Sequence, residues 1–290
     1  MGTLGPVFEW SDVCGARPAV MGVVNVTPDS FSDGGRYLDP DAAVAHGLEL
    51  VAAGADVLDI GGESTRPGAE PVDVAEETRR VVPVVERLAR EAGVPLSIDT
   101  TKAAVARAAI DAGATVVNDV SAGRVDEGMF GVVARAQAGY IVMHMQGDPR
   151  TMQADPSYDD VVGEVGAFLG ERLAAARAAG ISPAALAADP GIGFGKTVAH
   201  NLELLAGLPA LVERVGVPLV VGTSRKSFLA TLLRDVGGVA GPPPPEQRDE
   251  GTLASCVWAI DAGAKIVRVH DVAPIARAVQ FLVAMYEAVA

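Results

Sequence analysis

Short runs of β-branched and aliphatic residues recur eight times along the chain, and a longer alanine-rich stretch of helical character follows each of them. Consecutive parallel strands need long crossovers of this kind. Eight strand–helix pairs in 290 residues favour a single-domain (β/α)₈ TIM barrel, although the number of strands alone leaves an open doubly wound sheet as an alternative. The predicted strands are Ala19–Val24, Asp56–Ile60, Leu96–Ile98, Thr115–Val117, Tyr140–Met143, Leu186–Ala188, Leu219–Val221 and Lys265–Val269.

Two regions lie outside this pattern. Residues 1–18 precede the first predicted strand and are interpreted as an N-terminal extension, which leaves residues 19–290 for the barrel. Gly237–Pro245 ends in four prolines, and we predict a surface excursion there because proline fits neither a helix interior nor a central strand. Aromatic residues make up only 4% of the chain, so Ala, Val, Leu and Ile must build most of the core.

The net charge and the cysteine content limit the partners of the chain. A formal net charge of −14 predicts repulsion from nucleic acid and from anionic membranes, so an anionic small molecule would bind only where basic side chains collect. Two cysteines are too few for a disulfide framework, and the sequence shows neither a secretory signal nor a membrane-spanning run. We therefore expect a cytoplasmic chain that acts on small molecules.

Nearly every predicted strand is followed by a polar or ionisable residue. In parallel barrels the active site is built from the loops after the strands, so these residues predict a site at one end of the barrel. The residues in question are Asn25, Gly61–Arg66, Asp99, Asn118, Asp119, His144, Asp189, Ser224–Lys226, Arg268 and His270.

Acidic and amide side chains form the first group within this set. Asp99, Asn118 and Asp189 follow three different strands, and together they could bind a flat heterocycle that carries several N–H donors. Either aspartate taken alone would be interpreted as a helix N-cap. Three equivalent positions favour ligand binding.

Basic side chains form the second group. Arg66, Lys226, Arg268 and His270 follow other strands of this acidic chain, and together they could bind a phosphate-type anion. A surface ion pair is the alternative for each of them individually. Their shared placement favours an anion site.

Three further patterns concern loops and metals. The loop Asn25–Gly35 contains Phe31 and is predicted to be a lid over substrate, with a rigid loop as the alternative. Pro190–Thr197 resembles a P-loop, but it has Pro190 where that motif needs its first glycine. The glycines of this segment are instead predicted to let the backbone approach a flat ligand. A Mg²⁺ held mostly by substrate phosphates would leave almost no trace in the sequence.

Taken in chain order, these segments resemble the dihydropteroate synthases, a family of pterin-binding enzymes. The resemblance runs from about Ala19 to the C-terminus, and the combination of motifs is highly specific although each one alone is only suggestive. It rests on Met21–Gly35, Gly61–Gly68, Ser97–Thr100, Val117–Ser121, Met143–Gly147, Asp189–Lys196, Ser224–Phe228 and Arg268–Val272.

The resemblance implies a role for each matched residue. The pterin ring would be held by Asp99, Asn118, Asp189 and Lys226, with further substrate contacts from Met143, Phe194 and Gly222. The diphosphate would be bound by Arg66, Arg268 and His270, and Mg²⁺ by Asn25. The p-aminobenzoate would lie near Thr65, Pro67 and Ser224, under a first loop that contributes Phe31 and Asp33. The catalytic residues would be Asp99, Asp189, Lys226 and Asp33.

The resemblance also implies a reaction. The chain would condense 6-hydroxymethyl-7,8-dihydropterin diphosphate with p-aminobenzoate to give 7,8-dihydropteroate and diphosphate, a step of folate synthesis, and it would act as a homodimer. Two alternatives remain at this point. One is a pterin-dependent methyltransferase, which would need a corrinoid-binding partner domain, and the other is a non-catalytic pterin-binding homologue.

Overall fold

Eight parallel strands form the centre of the molecule. The computed structural model describes residues 7–27, 40–64, 68–148, 150–235 and 241–289. Strands β1 to β6 pair in sequence order, β1 also pairs with β8, and β8 pairs with β7. The strands are β1 (Ala19–Asn25), β2 (Val57–Gly61), β3 (Leu96–Asp99), β4 (Val116–Asp119), β5 (Gly139–Met143), β6 (Leu186–Asp189), β7 (Val220–Val221) and β8 (Ile266–Val269).

The contact between β6 and β7 closes the sheet into a barrel. It consists of a parallel bridge between Ala188 and Leu219, and the Ala188 N–H donates to the Pro218 carbonyl at 3.0 Å. All eight predicted strands are confirmed, including Leu186–Ala188, whose composition favours a strand least. This strand forms because burial between two neighbours outweighs the weak propensity of alanine.

Helices cover the outside of the barrel, except for the short first helix, which lies at the amino-terminal end of the barrel. Within the described residues they are α1 (Ser11–Cys14), α2 (Pro40–Ala52), α3 (Val74–Glu91), α4 (Ala103–Asp111), α5 (Met129–Ala136), α6 (Val161–Ala178), α7 (Val198–Ala206), α8 (Leu208–Val215), α9 (Ser227–Leu232), α10 (Asp249–Asp261) and α11 (Val272–Val289). None of them is long and apolar enough to cross a bilayer. The sequence did not predict α1 or α8. Pro242–Pro244 lie between α9 and α10 and belong to neither a helix nor a strand, as the sequence predicts.

Side chains alternate between the two faces of each strand, and those that point inward form two layers of opposite character. The lower layer is apolar and includes Met21, Val57, Val116, Ile141, Ala187, Val220 and Ile266. Two residues further along the same strands, the inward positions are mostly polar and include Asp59, Asn118, Asp189 and Arg268. The polar layer therefore lies at the carboxyl ends of the strands.

The N-terminal segment closes the opposite, amino-terminal end of the barrel. Trp10 is 1% exposed and packs against the lower apolar layer together with Cys14. Its indole N–H donates to the Ala185 carbonyl at 3.0 Å, and its backbone N–H donates to the Ala184 carbonyl at 3.0 Å. Residues 7–18 thus form the floor of the barrel, far from the polar layer.

Replacing Trp10 with alanine should lower the free energy of unfolding by about 3–5 kcal/mol, because it opens a cavity under the apolar layer. Trp10→Phe should lower it by less, since the ring volume largely remains and only the indole hydrogen bond is lost. Urea unfolding of both variants measures these values. Equal stability of Trp10→Ala and the natural chain would show that the segment does not support the barrel.

Candidate active site

Three hydrogen-bonding side chains lie side by side at the carboxyl end of the barrel. Asp99 on β3 is in register with Asn118 on β4, and Asp189 ends β6 in register with Met143 on β5. All three polar side chains are at most 9% exposed. Asp99 caps no helix, because Lys102 is the N-cap residue of α4 and its side chain makes no capping hydrogen bond there. The N-cap alternative is therefore wrong for Asp99.

A buried ionic network joins this group to β2 and β8. The Arg268 guanidinium donates to Asp59 Oδ2 through Nε at 2.6 Å and to Asp99 Oδ2 through Nη2 at 2.8 Å. Asn118 Nδ2 donates to the same Asp59 oxygen at 3.0 Å. Asp59 is fully buried. One carboxylate thus fixes both the arginine and the amide that flank Asp99.

Burial also changes the protonation of the carboxylates. It raises the pKa of Asp99 to about 7, against the opposing effect of the neighbouring Arg268 charge. Burial raises the pKa of Asp189 too, while Lys226 and a hydrogen bond from the Gly191 N–H counteract the shift. A group that titrates near neutrality within a cleft is a good candidate for a functional role.

Lys226 supplies the positive charge on the other side of the layer. Its ammonium donates to the Ile192 carbonyl and lies 4.6 Å from the centre of the Phe194 ring. Burial lowers the pKa of Lys226 to about 8, and the Asp189 charge opposes that shift. Gly222 lies directly below, since a Cβ atom there would be 3.8 Å from Lys226 Nζ.

An apolar wall borders the polar layer. Val120, Met143, Met145 and Met152 form one buried cluster, and Phe194 packs against it. Methionine side chains adapt to the flat face of a ring. Hydrogen-bonding groups at one edge and an apolar surface at another are the two features that a planar heterocycle needs.

Ser224 and His270 lie together at the ends of β7 and β8. The His270 ring nitrogen Nδ1 is 3.0 Å from Ser224 Oγ, and the His270 backbone N–H donates to the same oxygen at 3.2 Å. Helix α11 begins two residues after His270, so the positive end of its dipole faces this region. The arrangement is suited to an anion.

A cleft of about 450 Å³ opens beside Asp99. Its walls come from the loops after β2 to β5 and include Glu63, Thr100, Arg124 and Met145. The volume suits a small organic molecule. Asp99 is among the residues that line this cleft, whereas Asp189 and Lys226 are not.

Comparisons with known proteins agree with this geometry. A family model described as "Pterin binding enzyme" matches residues 21–270. A dihydropteroate synthase of Mycobacterium leprae is 51% identical over 258 residues, which are 87% of this chain and 88% of that protein. The chain belongs to the dihydropteroate synthase family of pterin-binding enzymes.

Solved structures of the family share the fold. The Xanthomonas albilineans dihydropteroate synthase with 4-aminobenzoic acid has a TM-score of 0.83 and 50% identity, over 94% of this chain and 93% of that one. A complex of an enzyme from the same organism with 7,8-dihydropteroate has a TM-score of 0.80 and 48% identity, over 94% of both chains. The predicted fold class, a TIM barrel, is thereby confirmed.

The structure brings together most of the described residues that the sequence nominated. Those at the barrel mouth are Asn25, Asp99, Asn118, Met143, Asp189, Phe194, Gly222, Ser224, Lys226, Arg268 and His270. Five nominated residues lie outside the described residues, namely Phe31, Asp33, Thr65, Arg66 and Pro67. Asp119, another strand-end residue, instead accepts hydrogen bonds from the Ser121 backbone and the Tyr140 hydroxyl.

Sequence reasoning missed Asp59. Its signal was a lone aspartate inside the apolar run Val57–Ile60, two residues after the inward-facing Val57. Alternation along a strand places Asp59 in the inward layer as well. Asp59 lies within β2, whereas most residues that the sequence nominates for the site follow a strand.

Removing the Asp59 charge should destabilise the barrel mouth. Asp59→Asn leaves the partly buried Arg268 with a single carboxylate, so the free energy of unfolding should fall by about 2 kcal/mol. Urea unfolding measures the loss. As a control, Arg79→Gln breaks an ion pair on the exposed face of α3 and should leave the unfolding midpoint nearly unchanged. Equal midpoints for both variants would contradict the importance of the network.

Proposed function

We propose that this chain condenses 6-hydroxymethyl-7,8-dihydropterin diphosphate with p-aminobenzoate, giving 7,8-dihydropteroate and diphosphate, and so acts as a dihydropteroate synthase in folate synthesis. The observation that carries the proposal is the inward layer of Asp99, Asn118 and Asp189, with Lys226 and Arg268 beside it. It lies within a chain that is 51% identical, over 258 residues, to a protein of that name.

The pterin ring is proposed to bind across the polar layer. Its ring N–H and amino donors match the carboxylates of Asp99 and Asp189 and the amide oxygen of Asn118. The face of the ring would lie on Met143 and Phe194. Gly222 leaves room for the ring edge, because glycine has no side chain to occupy this level of the barrel.

The diphosphate is proposed to bind between Arg268 and His270, with Arg66 as a third cation. Asp59 and Asp99 use two of the five guanidinium donors of Arg268, and the remaining donors can serve a phosphate. Departure of the diphosphate breaks the C–O bond at the pterin methylene, and the bonding electrons leave with the diphosphate oxygen. The arylamine nitrogen then bonds to this carbon and releases one of its protons to water. Asp99 and Asp189 would stabilise the positive charge that develops on the pterin.

Asn25 is proposed to hold Mg²⁺. Its side chain ends β1 on the inward face, opposite Gly61, and an amide oxygen is a ligand that Mg²⁺ accepts. Across the described ranges, no cluster of three His, Cys, Asp or Glu residues could hold an ion by itself, which fits a cation bound mainly by substrate and water oxygens. When bound, Mg²⁺ would neutralise charge on the leaving diphosphate.

The arylamine is proposed to bind next to Ser224, on the side of the barrel mouth where β7 and β8 end. Thr65 and Pro67 would complete this subsite, and Phe31 and Asp33 on the first loop would close over it. Ser224 is held in place by its contact with His270, so the two substrate ends would meet at neighbouring residues. Such placement favours attack in line with the departing diphosphate.

A homodimer is proposed through the outer faces of α10 and α11. Trp258, Phe281, Met285 and Tyr286 are large side chains exposed there, and Phe281 is 66% exposed. The Tyr286 hydroxyl donates to Asp261 at 3.2 Å, which links the two helices in one surface. Exposed aromatic groups of this kind are enriched in protein interfaces.

Free, buried thiols at Cys14 and Cys256 support a cytoplasmic location.

Turnover with the two named substrates tests the proposed function directly. The natural chain should release diphosphate and form dihydropteroate, and Asp99→Ala should lower kcat/KM at least about 100-fold while the protein stays folded. A product assay by mass spectrometry and circular dichroism of the variant provide the measurements. Methyl transfer in place of condensation, or pterin binding without any product, would support one of the two alternative functions.

The pH dependence of kcat/KM should be bell-shaped. It should rise as pH increases through about 7, because only the ionised Asp99 can offer both carboxylate oxygens as acceptors and offset positive charge on the pterin. It should fall above about 8 as Lys226 loses its proton. Lys226→Arg keeps its charge at all these pH values and should abolish the alkaline fall. Steady-state kinetics between pH 5.5 and 9.5, about the range that brackets both groups, measure the profile. An unchanged alkaline limb in Lys226→Arg would disprove the assignment to Lys226.

A further inference from the structure

The loop between β6 and α7 ends in a buried lysine that has no place in the proposed chemistry. Lys196 is 3% exposed, and its ammonium lies within hydrogen-bond distance of three groups. These are His144 Nδ1 at 2.9 Å, the Gly191 carbonyl at 3.0 Å and the Phe194 carbonyl at 3.0 Å. An ammonium has three N–H donors, so these three groups can use all of them.

The three acceptors belong to two different loops. Gly191 and Phe194 lie in the loop after β6, whereas His144 is the first residue after β5. His144 can accept because burial and the nearby Lys196 charge lower its pKa to about 3, so its ring is neutral. Its proton then lies on Nε2, since Nδ1 faces an ammonium that has only donors.

The backbones of the same two loops are in close contact. Gly191 and Gly195 have φ angles of +66° and +62°, and a Cβ atom on Gly191 would lie only 1.8 Å from the His144 carbonyl oxygen. On Gly195 it would lie 2.4 Å from the Gln146 carbonyl oxygen. The glycines therefore bring this loop against the protein's own backbone, whereas the sequence predicted an approach to a ligand.

The loop that Lys196 holds in turn holds Lys226. The Ile192 carbonyl accepts from Lys226 Nζ, Gly193 contacts the Lys226 stem, and the Phe194 ring lies 4.6 Å from the Lys226 ammonium. Both Phe194 and Lys226 are proposed pterin contacts. A change at Lys196 would therefore reach the pterin through the loop, without any contact between Lys196 and the ring.

We propose that Lys196 is a positioning residue that determines the affinity for the pterin substrate, by fixing the loop that carries Ile192 and Phe194. The proposal rests on the proposed function. The proposal predicts an effect on the pterin substrate and not on the arylamine. The contacts of Lys196 described above do not include Ser224 or His270, where the arylamine is proposed to bind.

Other contacts also hold this loop, and they provide a graded comparison. Gln153 Nε2 donates to the Gly193 carbonyl at 2.6 Å, and the Tyr158 hydroxyl donates to the Gly195 carbonyl at 2.8 Å. Each of these is a single hydrogen bond, whereas Lys196 Nζ lies within hydrogen-bond distance of three groups on two loops. Loss of Lys196 should therefore have the larger effect.

The test compares Lys196→Met with Lys265→Met, an exposed lysine at the opposite end of the barrel. Lys196→Met should raise the KM for dihydropterin diphosphate about 30-fold and leave the KM for p-aminobenzoate within about twofold. Lys265→Met should change neither of the two KM values. Gln153→Leu should raise only the KM for dihydropterin diphosphate, by less than about fivefold. Thermal unfolding checks that each variant is folded, and Lys196→Gln, which keeps two donors, replaces Lys196→Met if the latter does not fold.

A double variant separates positioning from general destabilisation. If Lys196 acts through the loop, Lys196→Met should add little to the pterin KM of Phe194→Ala, so the two effects should not be additive. Additive effects, an unchanged pterin KM, or an equal rise in both KM values would overturn the proposal.

Binding of 6-hydroxymethylpterin, followed by its own fluorescence, gives a readout that needs no turnover. Tight binding by the natural chain and weak binding by Lys196→Met should accompany the kinetic result. If the natural chain formed no dihydropteroate, the proposed function would fail, and this binding measurement would still decide the role of Lys196. Equal pterin affinity of the two proteins would refute that role.

Discussion

The buried carboxylate of Asp59 organises the polar end of this barrel. It lies in the middle of β2, and it receives hydrogen bonds from Arg268 on β8 and Asn118 on β4. An arginine that is largely removed from water is destabilising unless acidic partners surround it, so Asp59 and Asp99 allow the partly buried Arg268 to lie at the barrel mouth. The orientation of the groups proposed to bind the pterin therefore depends on a residue that is not itself proposed to touch it.

The barrel makes this network feasible because its strands divide the interior into two layers. Trp10 and the apolar residues above it fill the lower half and exclude water there. The upper layer can then hold several ionisable groups at close range, where burial shifts their pKa values towards neutrality.

The sequence predicted the eight strands and the polar residues that follow them, because both depend on local pattern. It did not predict α8, in which Leu208-Pro209 restarts a helix directly after Gly207, since proline at a first turn is compatible with several structures. Nor did it predict the links of Asp59 to Arg268 or of Lys196 to His144, which are 209 and 52 residues apart. Such links follow from the register of the closed barrel, which a single sequence does not display.

A crystal structure of the chain with a bound dihydropterin is the most direct measurement of the central claim. The ring should lie on Met143 and Phe194, with its donors on Asp99 and Asp189 and its edge at Asn118. Asp59 should still hold both Arg268 and Asn118. A pterin bound elsewhere on the barrel, or one that displaces Arg268 from Asp59 entirely, would contradict the role given to the buried carboxylate.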